Sequence, residues 1–512
     1  MKITRYITFA FATCLMASCN DWLDVNPSTE VDKSQIMSSE AGFADAVSGV
    51  YVNMTSDELY GKNLTWYGVE LMGGGTRVMF GDNMNYQSFS FHPDAAYYYE
   101  SLRLSFTDQI WNKQYNTIAN VNSLLSSIDE AKGIFVGSDY EVMKGELLGL
   151  RAFLHFDLLR LFADAYGSDA YSAQKTYIPY VTEITSQVHP LLTNDQVCEL
   201  IIDDLKQAKE LLKHDPMATQ QTPSDYVCSK VTGNASARLR YNIADWHNRR
   251  FHFNYYAAIA TMARVYLWKG DKTEALACAK EIIADAPTVF PWVSSDLISN
   301  VASTDDYLAR DRTFSTEQIF ALNIRDMEDR TDGYMMEKTT KFTTNMNIIG
   351  FNAEVFDNAS RQYDIRYAYL KNVYSLYGNE FYVSNKYVKD NDPSNMSPWS
   401  ANRVPLIRLA EMYYIAAECE PDLAKATEYL NTVRAHRGLE AYPISVASRD
   451  ELQEQIRLEY HKETIGEGQT FYYYKRLGKT IVNKSAYDEN HVSQELFTIP
   501  RPDDEDAYGG RN

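Results

Sequence analysis

Apolar residues recur every three or four positions through much of the chain, the spacing of helices that bury one face. Over Glu141 to Phe162, the residues Met143, Leu147, Leu150, Leu154, Leu158 and Leu161 draw one such stripe. Gly145 and Gly149, four apart on that helix, leave room for a neighbouring helix to come close. A sharper helix pair is predicted over 256–289 and a second over 404–437. In the second, Leu409, Met412, Tyr413, Ala416 and Ala417 line one helix, and Ala426, Leu430 and Val433 line the next. Weaker pairs are predicted at 108–130 with 140–164, and at 193–213. The pairs are scattered along the chain and not in tandem. Between them, 52–107, 215–250 and 290–400 are rich in polar and aromatic residues and read as long loops. Loops of that length in a compact protein are usually functional.

The pair at 256–289 has an internal logic. Ala263, Tyr266, Gly270, Ala275, Ala279 and Pro287 are spaced like the small, aromatic, small and terminating positions of a tetratricopeptide repeat of roughly 34 residues. Ala263 lets the two helices touch, Tyr266 fills the groove between them, and Ala275 accepts it. Gly270 starts the turn, and Pro287 is predicted to stop the second helix. The fold class that follows is all-α, with helix pairs, long irregular loops and little β.

The first residues follow a different rule. Lys2 and Arg5 precede an apolar run, Tyr6 to Ala17, that ends in Ala17-Ser18-Cys19. This is the pattern of a secretory signal, and it falls short of the roughly 20 apolar residues a membrane span needs. A cysteine directly after two small residues resembles the lipobox of bacterial lipoproteins. That resemblance implies cleavage after Ser18 and lipid attachment at Cys19. Each buried methylene contributes about 0.8 kcal/mol to anchoring, so two or three acyl chains hold a protein stably. The chain then divides into a signal peptide (1–18), a lipidated tether (19–35) and a helical domain (36–512). Within that domain 36–215 holds the N-terminal pairs, 290–400 is a variable insertion and 438–512 is a C-terminal segment.

Charge and cysteine usage exclude several functions. With 49 basic against 69 acidic residues and a net charge of −20, the chain is a poor partner for nucleic acid, whose phosphates need clustered Lys and Arg. Cys198, Cys228, Cys278 and Cys419 are widely spaced and show no metal-ligand pattern, so no metal and no cofactor is predicted. Asp390-Asn391-Asp392 opens like a calcium loop but lacks the later Gly and Glu. Gly73-Gly74-Gly75 reads as a turn, His155 as a core or interface residue, and Asp503-Asp504-Glu505-Asp506 as a solvated tail. No nucleophile elbow, zinc-binding helix or phosphate loop is present. Carboxylate pairs suited to glycoside hydrolysis are not marked out among so many acidic residues, and no catalysis is predicted.

Aromatic content points instead to binding. The chain holds 38 Tyr, 22 Phe and 7 Trp. A sugar ring laid on an aromatic face removes about 100 Å² of apolar surface from water, worth roughly 2–3 kcal/mol. Association costs at least about 4 kcal/mol, so a sugar needs several such stacks with polar groups at the rim. The candidates are Trp66, Tyr67, Phe89, Phe91, Tyr97, Tyr98 and Tyr99, with Asp82 and Asn83 for hydroxyl groups, and Trp292 and Tyr307 beyond the repeat. Trp111 reads as structural.

Five stretches together resemble one family, the SusD/RagB outer-membrane nutrient-binding lipoproteins. They are Ser18-Cys19-Asn20-Asp21-Trp22-Leu23-Asp24; Trp111 to Asn120; Glu146 to Phe156 with Tyr166-Gly167; Ile407 to Glu418 with Leu430-Asn431-Thr432-Val433-Arg434 and Arg437-Gly438; and Glu467-Gly468 with Phe471, Lys475-Arg476 and Phe497-Thr498-Ile499-Pro500. The residues after Glu467-Gly468 depart from the family's arginine and acidic pair, with Gln469 and Tyr472-Tyr473-Tyr474 in their place. The resemblance implies a SusD-like α-helical fold and a lipid anchor in the outer membrane, facing the medium. It also implies a glycan ligand and a SusC-like TonB-dependent transporter as partner, over whose mouth the protein sits as a lid. The alternative within the family is a RagB-type protein that binds peptide or protein with the same partnership.

Overall fold

In the computed structural model, which describes residues 36–73, 76–80, 106–185, 187–222, 246–293, 311–325, 327–331, 347–351, 355–369, 372–376, 379–384, 386–387, 402–478 and 497–508, helices pack neighbour on neighbour in chain order. Helix α1 (Glu40–Met54) is followed by short α2 (Gly68–Met72) and lies on α3 (Asp108–Ile128). From there α3 packs on α4 (Asp139–Phe162), α4 on α5 (Asn194–Leu211) and α5 on α6 (Tyr255–Lys269). The series continues through α7 (Lys272–Val289), α8 (Leu409–Cys419) and α9 (Leu423–Arg434). Pairs that look scattered in sequence therefore form one stack in space. The reason lies in burial. Every residue of α6 from Tyr256 to Trp268 is buried, and in α8 only Glu411 escapes. A helix apolar on all sides needs a neighbour on each side, so long intervening segments cannot keep α5 from α6 or α7 from α8.

Local chemistry sets the helix ends. Thr193 and Gln196 form a reciprocal capping box on α5. Asn254 caps α6 by accepting from Ala257 N–H at 3.0 Å, and its amide donates to Ile319 O at 2.8 Å, which ties the helix to a strand. Gly270 ends α6 at φ 80°, where glycine is favoured. Pro287 does not stop α7 as predicted; the helix runs on to Val289. Pro287 lies so near the end that its missing N–H costs one bond and no following turn. Gly145 serves close approach, since a Cβ there would lie 2.9 Å from Leu212 and 3.0 Å from Leu211. Gly149 likewise makes room for the Phe253 ring.

The long stretches are less irregular than their composition suggests. Strands β1 (Thr76–Phe80), β5 (Asn347–Phe351), β7 (Asn379–Val383) and β6 (Asn372–Leu376) form an antiparallel sheet in that order. It joins the first stretch to the third. Strands β2 (Thr176–Ile178) and β3 (Leu192–Thr193) pair beside α5. Strand β4 (Gln318–Asn323) pairs antiparallel with β8 (Arg403–Arg408). The predicted helix pair at 404–437 thus opens with a strand, and its helix begins at Leu409. A short apolar run such as Val404 to Ile407 fits either element by periodicity, and Pro405 disfavours the helix. Helices α10 (Arg449–Thr464) and α11 (Thr470–Leu477) follow, and the acidic run read as a tail forms a short helix, α12 (Asp503–Tyr508). The class is mainly helical with little strand, as the sequence predicts.

Cys198, Cys278 and Cys419 are free, and burial pushes each thiol up to about 12. They pack as small hydrophobes. Among the described residues no helix is long and apolar enough to cross a membrane.

Candidate functional site

The residues of the most specific sequence motifs meet inside the protein. Arg408, at the end of β8, donates to Glu467 at 2.9 and 3.0 Å and also bonds Glu463. Arg437 donates to Glu463 at 2.7 Å and to Glu317 at 3.0 Å. Arg366 donates to Asp364 and Glu459, each at 2.7 Å, and to Glu463 at 3.1 Å. Lys462 bonds Glu459 at 2.8 Å, Arg434 pairs with the same carboxylate, and Lys386 pairs with Glu467. All these side chains are buried. Burial alone would raise the Glu459 carboxyl, but Arg366, Lys462 and Arg434 overcome it and hold the group at about 2. Burial is opposed in the same way at Glu463, where Arg437, Arg408 and Arg366 keep it well below the ordinary range. The hub fastens the long stretch before β8, through Glu317, Arg366 and Lys386, to α9, the turn after it and α10.

Aromatic side chains lie over this hub. The Trp292 indole stacks on the His436 imidazole, with centroids 4.4 Å apart and planes at 17°. Tyr413 meets Trp292 at 5.2 Å and Tyr429 at 6.2 Å. The Arg437 guanidinium sits 5.4 Å from the Trp292 ring and 4.0 Å from that of Phe314. Further along the turn Ala435–Leu439, Tyr363 and Tyr442 stack at 5.2 Å and 25°. They are 49% and 36% exposed, the two exposed residues among the described Phe, Tyr and Trp.

The predicted site residues fare differently. Trp66 is fully buried, and its indole N–H donates to Gly61 O at 2.9 Å. It is a core residue, and no sugar can reach its face. Tyr67 is half-buried, edge-on to Trp66 at 5.9 Å, with the Lys62 ammonium 4.4 Å from its ring. Trp292 is half-buried, with one face covered by His436. The structure does not bring Tyr67 and Trp66 into the band around Trp292. Cys19, Asp82, Asn83, Phe89, Phe91, Tyr97, Tyr98, Tyr99, Tyr307 and the Asp390-Asn391-Asp392 run lie outside the described residues. Trp111 is buried, edge-to-face with Phe162 at 4.9 Å. His155 is also core: its Nδ1 lies 2.8 Å from Arg151 O, and its Nε2 accepts from Val181 N–H at 2.9 Å. Burial lowers its pKa to about 3. Sequence reasoning missed Tyr363, Tyr442 and His436, because each is a single ring without an aromatic neighbour in sequence that marks it.

Two small cavities lie among the described residues. A cavity of about 50 Å³ lies between α4, α6, α8 and α11, lined in part by Arg160, Arg264, Glu411 and Tyr472. It has room for a few waters and not for a sugar ring. A second, of about 20 Å³, adjoins the hub beside Lys386 and Ser384. Neither of these two cavities admits a sugar ring.

These features define a tetratricopeptide-like helical-repeat protein with a partly stranded stretch between its helix pairs. The chain belongs to the SusD family, whose model matches residues 220–507. A second family, described as starch-binding and associating with the outer membrane, matches residues 21–227. SusD-like protein P25 of Formosa agariphila is 22% identical, over 90% of this chain and 89% of its own. A SusD superfamily protein of Bacteroides thetaiotaomicron has the same fold, with a TM-score of 0.67 and 22% identity, covering 92% of this chain and 98% of that one. The fold is shared with surface glycan-binding protein A of Bacteroides thetaiotaomicron, solved in complex with laminarihexaose. There the TM-score is 0.60 and the identity 16%, over 92% of this chain and 98% of the other.

Proposed function

We propose that the protein captures oligosaccharide or polysaccharide at the cell surface, without chemical turnover, and delivers it to a SusC-like TonB-dependent transporter. It is held to the outer membrane by lipid on Cys19. The observation that carries this reading is membership of the SusD family along the chain, with a relative of the same fold solved around a glucan oligosaccharide. The outer-membrane description of the N-terminal match and the lipobox-like Ala17-Ser18-Cys19 support the anchor. Surface aromatics on a rigid scaffold supply the chemistry, since pyranose C–H faces and aromatic rings leave water together. Closure over the transporter is favoured when ligand touches both proteins.

Calorimetry and affinity electrophoresis against a glycan panel test the capture step. Binding to at least one soluble glycan without release of reducing ends is the expected result. Binding of peptides alone would defeat the sugar reading and favour the RagB-type alternative. Metabolic labelling with a fatty acid, lost in Cys19→Ala, tests the anchor, and co-purification from detergent-solubilised membranes tests the transporter.

A further inference from the structure

We infer that the stacked pair Tyr363–Tyr442 is a preformed platform for a pyranose ring, a contact that deepens the glycan-binding reading and rests on it. The two tyrosines come from distant parts of the chain, one from the long stretch before β8 and one from the turn after α9, yet one buried carboxylate fixes both. Glu459 accepts from Arg366, three residues beyond Tyr363, at 2.7 Å. Its other oxygen pairs with Arg434 Nη1, and Arg434 Nη2 donates to the backbone carbonyl of Tyr442 at 2.7 Å. Gly438 completes the seat. It has a φ of 82°, and a Cβ there would lie 2.3 Å from Tyr363 O, so the turn and the Tyr363 segment meet backbone to backbone. The ring geometry is thus set before any ligand arrives, which lowers the ordering cost of binding.

Size selects the occupant. A tyrosine buries about 150–250 Å² when fully covered, so the open parts of two rings match one or two sugar units. A stable protein interface takes about 800 Å² per partner. The chemistry fits as well: flat apolar faces carry phenolic hydroxyls at the rim, and exposed Gln362 and Glu440 lie within two residues of the rings for sugar hydroxyls.

Wild type, Y363A/Y442A and Y363F/Y442F are compared by calorimetry against laminarin, amylopectin, xylan, galactomannan and pectic galactan. For a glycan that wild type binds, the alanine pair should weaken affinity by about tenfold or more, while the phenylalanine pair stays within about threefold. Unchanged affinity in the alanine pair overturns the platform and leaves glycan capture standing. An equal loss in the phenylalanine pair overturns the stacking account. No binding by wild type to any of the five overturns glycan capture and the platform with it.

Discussion

Two aromatic pairs in this protein have opposite fates. Trp66 and Tyr67 are adjacent in sequence and follow a polar turn, yet Trp66 is wholly internal and its indole N–H is satisfied by Gly61. Tyr363 and Tyr442 are far apart in sequence and end up stacked in solvent. Apolar content cannot explain the contrast, since Trp66-Tyr67 and the tyrosine pair all have faces that favour burial. The difference lies beneath them. Trp66 rests in the apolar core with Tyr60, Leu64 and Val69, so hydrophobic burial draws it in. Tyr363 and Tyr442 stand on segments whose buried anchor is ionic, centred on Glu459, and the rings themselves are left outside. Surface presentation here is a property of the anchor more than of the aromatic residue.

The largest effects should come from breaking each anchor. Glu459→Ala leaves Arg366, Arg434 and Lys462 without a shared buried carboxylate. Loss of one partner from such a cluster costs about 3–5 kcal/mol, and denaturant unfolding should show it. Trp66→Ala opens a cavity of similar cost, about 3–5 kcal/mol. The two variants separate in binding: folded Trp66→Ala should keep the tyrosine platform and glycan affinity, whereas Glu459→Ala should lose both. Equal affinity in both variants would break the comparison.

A smaller, pH-dependent effect links the two regions. Glu70, on α2 just beyond Trp66-Tyr67, is buried and accepts from Gly468 N–H at 2.9 Å, beside the hub. Burial lifts its pKa from 4.5 to about 7, against the pull of the Gly466 and Gly468 amides and Lys386. The folded state therefore holds this proton more tightly than the unfolded chain does. Its contribution to stability is complete below about pH 4.5 and is lost as pH rises through about 7. Glu70→Gln keeps the shape and the acceptor but cannot ionise. The variant should exceed wild type by about 1–3 kcal/mol at pH 8 and converge with it near pH 4. A constant difference across that range would show that ionisation of Glu70 is not involved.

Much of the helical stack was legible because its signals are local. Ala263, Gly270 and Ala275 announce a hairpin of helices, and Gly145 announces a close neighbour. The order in space was not legible, since it depends on α6 and α8 being apolar all round, a property the pair-by-pair spacing does not weigh. The ionic hub was legible as motif and not as physics. Arg408, Arg434, Arg437 and Glu467 stand out in sequence, but Glu317, Arg366 and Lys386, which complete the hub, lie in the 290–400 stretch, where nothing marks them. The choice of aromatic residues was harder still, since burial depends on what lies beneath each ring; most of the chosen loop aromatics lie outside the described residues. Trp66 looked like a platform, and Tyr363 and Tyr442 looked like any other of 38 tyrosines.

The smallest expected effect is the most discriminating. If the tyrosine pair is held out by the hub and contributes nothing to packing, removing both rings should leave the fold almost untouched. The thermal midpoint of Y363A/Y442A should stay within about 2 °C of wild type, because the buried pairs beneath hold the backbone at Tyr442 and the neighbouring Arg366 and do not touch the exposed rings. Trp66→Ala, measured in the same scan, should fall well below that. A drop in the tyrosine variant comparable to that of Trp66→Ala would mean that the stack helps to close the Gly438 turn. The contrast between buried and presented aromatics would then lose its basis, because both pairs would be serving the core.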